Sequence, residues 1–306
     1  MVIPSISVVI GTYNQKPVLE KVLTSFLDQT LPKDQFEIVV VDSTSTDGTP
    51  DMVRSLSDRL PVRVTVQENA GKAAARNRGA REAIADLILF TDGDLLAHPN
   101  LLAEHVKAQA AAKSPRCFQG LEYNMSRLDW PPKPDQLHAI VPNRYQNHQR
   151  IGWFYWLTGN LSVSKAIFLG IGGFDETFTG YGFEDIECGY RLHKQGVDLV
   201  YLKTAINYHY HLITPDVEVA RADKKGRSAA FFYTKHPELK WYVGLNPIST
   251  GIHSLISPNG RVITMAQQAM KAHAPGTWQY RLAGWFLHEY GYLAGAKDAL
   301  RTGNFQ

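Results

Sequence analysis

The chain has 306 residues, 44% of them hydrophobic and 20% charged, and 32 Lys and Arg stand against 29 Asp and Glu for a net charge of +3. This is the balance of a globular protein with a large core, long enough for one α/β domain with an appended part. The small, dispersed positive charge argues against nucleic acid as a partner, and two cysteines, Cys117 and Cys188, exclude a disulfide framework or a thiolate zinc set and fit a reducing compartment.

The amino terminus has no basic leader and runs straight into a strand-like pattern, so no signal peptide is expected. Ile6 to Ile10 is a β-rich run that ends at Gly11-Thr12-Tyr13-Asn14, where turn residues take over. From Pro17 the positions Val18, Leu19, Val22, Leu23, Phe26 and Leu27 recur at helical spacing. Phe36 to Val41 is a second buried strand, closed by Asp42-Ser43-Thr44, and strand, helix, strand at this spacing is a parallel βαβ unit. Pro50 to Leu56 reads as a helix and Val62 to Val66 as a third strand. The segment Asn69 to Ala80 opens a helix of small residues with Lys72, Arg76 and Arg78, either an anion-facing surface or a solvated basic face.

Leu87 to Phe90 is an apolar run that delivers Thr91-Asp92-Gly93-Asp94 at its carboxyl end, where open α/β sheets bind ligands. Two carboxylates flanking a glycine suit a hard divalent cation beside phosphate oxygens, although an Asp-Gly turn by itself is usually just a turn. Pro99 to Ala111 is helical and Cys117 to Tyr123 a strand. Residues 126 to 150, with Pro131, Pro132, Pro134 and Pro142, read as a long irregular segment, which in a compact domain is usually functional or disordered. Trp153, Phe154, Tyr155 and Trp156 either fill core or offer a platform to a flat, partly apolar ligand.

Leu161 to Ser164 is a strand and Lys165 to Leu169 a short helix. Gly180-Tyr181-Gly182-Phe183 then leads into Glu184-Asp185 at the start of a helix reaching Lys194. Acidic residues there favour the helix dipole, while the glycines beside Tyr181 and Phe183 point to a closing loop. Val197 to Tyr201 is a strand, and in the extended segment that follows His209 and His211 share one face, so that either could reach a metal. Beyond Pro215 the chain is helical in parts. Trp278, Tyr280, Leu282, Trp285, Phe286, Tyr290 and Tyr292 sit there with Lys271, Arg281 and His288 nearby. Such a helix packs on its own domain or makes peripheral membrane contact. No apolar stretch approaches the roughly 20 residues of a membrane span, so a cytoplasmic protein, peripheral to a membrane at most, is expected.

The stretches Val8–Asn14, Val39–Thr49, Asn69–Gly79, Thr91–Asp94, Thr158–Ser162 and Gly172–Gly196 together resemble the nucleotide-sugar glycosyltransferases of the GT-A fold, family 2, with a carboxyl-terminal half similar to the galactosyltransferase-type segment of related enzymes. The resemblance implies an α/β GT-A (Rossmann-like) fold with a mostly parallel sheet flanked by helices. It divides the chain into a GT-A domain over 1–212, with a nucleotide-binding half at 1–115 and an acceptor half at 116–212, and a mainly helical extension over 213–306. It further implies a cradle for the nucleotide sugar made by Thr12, Tyr13, Asn14, Asp42, Lys72 and Arg76, with Asp92 and Gly93 in the Asp-X-Asp element. Asp94 and His209, or His211 in its place, would hold Mn²⁺ or Mg²⁺. Glu184 and Asp185 match the catalytic pair, Asp185 being the base of an inverting transfer, and Trp153, Tyr181 and Gly182 are the acceptor-side candidates. Relatives commonly have a second aspartate after the one matched by Asp42, where it reads uracil. Ser43 stands there instead, so a UDP-sugar is the first choice of donor and a GDP- or dTDP-sugar the second. The acceptor would be a carbohydrate or glycoconjugate. A sugar-nucleotide nucleotidyltransferase also uses such a sheet, but would carry a glycine-rich loop after its first strand where this chain has one glycine. A non-catalytic nucleotide-sugar-binding module would be favoured if one acidic centre were missing, and both are present.

Overall fold

The computed structural model describes residues 3–125, 127–133, 137–139, 145–210, 214–256 and 260–305. The four apolar runs of the first third form β1 (Ile6–Thr12), β2 (Phe36–Asp42), β3 (Val62–Val66) and β4 (Leu87–Asp92). They lie parallel in the order β3-β2-β1-β4, linked by α1 (Lys16–Ser25), α2 (Thr49–Ser55) and α3 (Gly71–Glu82). All seven residues of β2 are buried, as expected of a parallel strand covered on both faces. The small residues of α3 let it lie against β1: a Cβ on Gly79 would stand 2.4 Å from Val9 Cγ1.

The chain does not continue the parallel pattern after Asp92. It turns at Gly93 and enters β5 (Leu95–Ala97), which pairs antiparallel with β10 (Asp198–Tyr210) at the other end of the sheet. Between the two ends run β9 (Leu161–Ser164), antiparallel to both β4 and β6 (Arg116–Met125), and β6 itself, parallel to β10. Two short strands complete the ten-stranded sheet, β7 (Leu137–Ala139) on β6 and β8 (Arg150–Ile151) on β10. The sheet is thus parallel in its first four strands and mixed beyond them. The segment expected to be irregular over 126–150 contains these two strands, and the two extended pieces expected on either side of residue 205 are one strand whose register breaks between Leu202 and Ile206.

Core residues cover both faces. Ile6, Val8 and Ile10 pack with Leu19, Leu23 and Phe26 on one side, while Val9 and Phe90 pack with Phe168, Phe174 and Trp156 on the other. Phe90 stands 5.0 Å from Phe168 and 5.2 Å from Phe174, ring to ring. Trp156, fully buried, therefore belongs to the core. Two further helices flank the sheet, α4 (Leu101–Ala110) and α5 (Lys165–Gly170), and α6 (Glu184–Lys194) carries the second acidic centre. His105 of α4 is buried between Ser162 Oγ and Asn160 Oδ1, each at 2.8 Å, and burial pushes its imidazole down to about 4. Asn160 in turn donates to the Leu121 and Ala205 carbonyls, so the register break is hydrogen-bonded from within.

These elements form one compact unit, Met1–Thr177 with Glu184–Leu212, and a second comprises Phe178–Phe183 and Ile213–Gln306. In the second unit α7 (Pro215–Lys235) packs along α10 (Trp278–Thr302), and α8 (Pro247–Ile256) and α9 (Gly260–Ala272) complete the helical set. The α7–α10 contact uses small residues: a Cβ on Gly226 would stand 1.9 Å from the Tyr292 carbonyl oxygen. Thr214 and Thr277 cap these two helices, accepting from Val217 N and Tyr280 N. No helix among the described residues is long and apolar enough to cross a membrane.

Candidate active site

Parallel pairing sets the carboxyl ends of three strands side by side, with Thr12 opposite Asp42 and Gly11 opposite Asp92. Beside them lies a cavity of about 310 Å³ lined by Thr12, Tyr13, Ser43, Asn69, Gly71 and Lys72, among others, at the place where the strand order reverses and such sheets take ligands. Thr12 Oγ1 and Asp42 Oδ1 are buried without a hydrogen-bond partner among the described residues, whereas Asp42 Oδ2 accepts from Ser45 N at 2.8 Å. Lys72 begins α3, whose first N–H groups add positive potential. Asn14 has a different task. Its Oδ1 accepts from Thr46 N and its own N–H donates to Ser45 Oγ, both at 2.8 Å, so it ties the loop after β1 to the loop after β2.

Arg76, one turn into α3, is 2% exposed. Its Nη2 lies 2.6 Å from Asp92 Oδ1 and its Nη1 2.9 Å from Glu184 Oε1, and the guanidinium rests on the Phe174 ring. One cation thus joins the first acidic centre to the second. Burial works to raise the Asp92 carboxyl, but Arg76 and Lys72 outweigh it and hold it well below the usual carboxylate range. Asp185 lacks such a partner. Withdrawal from water and the neighbouring Glu184 push its carboxyl up to about 7 against the pull of Arg76, where a carboxylate is matched to general-base work at neutral pH.

The third group forms at the joint between the sheet ends. His209 is paired with Leu95, so Asp94 faces it, and His209 Nε2 lies 3.3 Å from Asp94 Oδ2. Burial works against charge on His209, but the hydrogen bond and charge of Asp94 win and raise its pKa. Asp94 Oδ1 is buried with no partner among the described residues. No three His, Cys, Asp or Glu among the described residues form a closed cage. Asp94 and His209 form an open pair, which fits a magnesium-like ion that takes its remaining ligands from phosphate and water. His211 lies outside the described residues.

Glu122 was not expected from the sequence. It is 5% exposed on β6, and burial pushes its carboxyl up to about 8 in the neighbourhood of His209, Asp92 and Asp94. The signal was an acidic residue within an otherwise apolar strand pattern, Cys117 to Tyr123. Of the acceptor-side candidates, Trp153 is half-buried and packs on Tyr190 of α6 at 4.9 Å between rings. Tyr181 and Gly182 fall in the second unit, where the Tyr181 hydroxyl accepts from Arg221 and Gly182 adopts a φ of +81°.

With this geometry in place, comparison with known families is decisive: the model described as glycosyl transferase family 2 matches residues 7–179, more than half of the chain. The chain belongs to glycosyl transferase family 2. Among its relatives, this family member is 36% identical over 227 residues to a validoxylamine A glucosyltransferase of Streptomyces hygroscopicus subsp. jinggangensis (strain 5008), covering 64% of the chain and 53% of the relative. It is 27% identical over 251 residues to the uncharacterized glycosyltransferase YfnE of Bacillus subtilis (strain 168), covering 66% and 64%. The chain thus spans about half to two thirds of the length of these relatives. Its GT-A fold matches the mannosyltransferase PcManGT from Pyrobaculum calidifontis, solved with GDP-Man and Mn2+, at a TM-score of 0.64 with 18% identity over 98% of this chain and 88% of that one. A Staphylococcus aureus TarS fragment solved with UDP matches at 0.54 with 17% identity over 98% and 92%.

Proposed function

We propose that this family 2 protein moves a sugar from a nucleotide-sugar donor to an acceptor hydroxyl with inversion at the anomeric carbon. The observation that carries this reading is the Arg76 bridge, which brings the Asp-X-Asp carboxylate Asp92 and the Glu184-Asp185 pair into one site. Donor and base then meet at one place. Thr12, Tyr13, Ser43 and Lys72 line the nucleotide side, and buried Asp42 and Thr12 each have an oxygen without a partner among the described residues to offer base and ribose. Asp185 takes the proton from the attacking hydroxyl as that oxygen bonds to the anomeric carbon and the nucleoside diphosphate leaves from the opposite face. Arg76 pairs with Glu184 beside it and fixes Asp92 toward the donor. Asp94 and His209 would hold Mn²⁺ or Mg²⁺, which supplies charge neutralisation at the leaving diphosphate.

UDP-sugar is the favoured donor, with GDP- or dTDP-sugar second because Ser43 replaces an aspartate. The names of the relatives favour a hexose, transferred onto a carbohydrate or glycoconjugate. The test is a panel of nucleotide sugars with Mn²⁺, read by nucleoside diphosphate release with and without EDTA. Pyrophosphate-dependent formation of a nucleoside triphosphate would instead reveal a nucleotidyltransferase, and donor binding without release a non-catalytic module.

A surface of the second unit supports a location as well. From Leu239 to Leu287 the chain has no Asp or Glu but carries Lys240, Arg261, Lys271 and Arg281. Trp278, Leu282 and Trp285 stand exposed on successive turns of α10, and Ile248, Ile252 and Leu255 do so on α8. Exposed tryptophans in a basic stretch match an anionic membrane interface, and we assign these helices to peripheral contact with one.

A further inference from the structure

β6 and β10 run parallel with Glu122 opposite Asn207 and Asn124 opposite His209. Alternate residues of a strand share a face, so these four side chains form a polar square, and His209 shows which face it is by reaching Asp94. The square is rich in acceptors. Asn207, wholly buried, spends its amide N–H on the Gly159 carbonyl at 2.7 Å, which leaves Oδ1, like Asn124 Oδ1, without a partner among the described residues. Glu122 receives one donor among the described residues, Gln119 Nε2 at 3.1 Å. Its other oxygen lies over the bare Cα of Gly159, where a Cβ would stand 2.5 Å from it.

Buried acceptors without donors are unfavourable until a ligand supplies them. A polyol does so, because each hydroxyl donates one hydrogen. Glu122 does not close a metal site, since no three acidic or histidine groups of the described residues stand close enough to share an ion. It nonetheless feels the charges of His209, Asp92 and Asp94, the groups the transferase reading assigns to the donor's diphosphate.

We propose that Glu122, with Asn124 beside it, exchanges hydrogen bonds with hydroxyls of the donor sugar and determines which epimer is used. The proposal rests on the transferase reading. Wild type, Glu122→Gln and Asn124→Ala are compared on UDP-sugars that differ at a single hydroxyl, including a deoxy donor, by kcat/KM for UDP release. UDP affinity with Mn²⁺ and thermal midpoint are measured alongside. The expected result is a change of about tenfold or more in the ratio of kcat/KM between epimeric donors, with UDP affinity held within about threefold. The proposal is overturned if every donor slows by one common factor, or if UDP affinity falls in step with activity, which would make Glu122 a support for the metal or the fold. Wild-type turnover with unchanged ratios in the variants refutes Glu122 alone. Absence of nucleoside diphosphate release by wild type from every UDP-, GDP- and dTDP-sugar refutes the transferase reading and Glu122 with it.

Discussion

Asp94 and His209 meet at 3.3 Å because β5, the three-residue strand after the acidic turn, pairs with the end of β10. Sheet pairing rather than sequence proximity builds this contact. A divalent ion held there should lose its site when either side chain is cut back. Asp94→Ala is expected to lower nucleoside diphosphate release roughly 100- to 1,000-fold, the rate equivalent of several kcal/mol of charge stabilisation. His209→Ala should weaken Mn²⁺ binding in calorimetry with UDP present. Because Asp94 raises the His209 pKa in the free site and a metal ion takes the neutral imidazole, Mn²⁺ affinity should fall as pH drops. Full activity in EDTA would refute the pair as a metal site.

Asp185 must be ionised to accept a proton. Its carboxyl is pushed up to about 7 by burial and Glu184, so kcat/KM should fall about tenfold per pH unit below that value and level off above it. Asp185→Asn should abolish this limb and reduce turnover by roughly 10²- to 10⁴-fold. Donor affinity should stay nearly intact if the side chain serves the acceptor as proposed. Calorimetry showing lost donor binding in Asp185→Asn would move the residue from base to donor ligand.

The parts of this site that were legible in the sequence are those set by local pattern. Asp92 and Asp94 follow an apolar run, Glu184 and Asp185 open a helix, and Lys72 and Arg76 stand at the start of another, so strand ends and helix starts place them without knowledge of the rest. Long-range pairing was not legible. The run Leu95–Ala97 is too short to announce a strand, and its partner lies at the far end of the unit's chain. The same holds for Arg76, read as a donor contact, whose guanidinium is filled by Asp92 and Glu184. Glu122 looked like one polar residue in a strand, and only the register with Asn207 shows that it faces the site. Among the aromatic run, composition could not tell Trp156, which fills core, from Trp153, which stays half-buried on α6.

Arg76 carries structural weight beyond its electrostatic role. Removing it strips Asp92 and Glu184 of their shared ion-pair partner in a largely buried place, with Lys72 the main cation still acting on Asp92. Arg76→Met is therefore expected to cost about 3–5 kcal/mol in chemical denaturation, and Arg76→Lys, which cannot reach both carboxylates as a fork, to recover only part of it. In an Asp92→Asn, Glu184→Gln background the cost of Arg76→Met should shrink, since little negative charge is left to compensate. An equal cost in both backgrounds would show that packing on Phe174, rather than the two ion pairs, carries the effect.

The exposed apolar residues and cations of the second unit predict a lipid dependence. Co-sedimentation with vesicles containing phosphatidylserine should retain the protein, and vesicles of phosphatidylcholine alone should not. Binding should weaken with salt, because exposed charges are screened within about 8–10 Å at ordinary ionic strength. Trp278→Ala with Trp285→Ala removes two exposed apolar anchors, and Arg281→Glu reverses one of the cations nearest to them. Each change should reduce vesicle binding while donor hydrolysis in solution stays within about twofold, since these side chains are exposed on α10. If binding to anionic vesicles persists in the double tryptophan variant, or if the protein binds neutral and anionic vesicles alike, the apolar face is not a membrane contact. Sedimentation of the wild type as a dimer that the same substitutions dissolve would assign the face to a second copy of the chain instead.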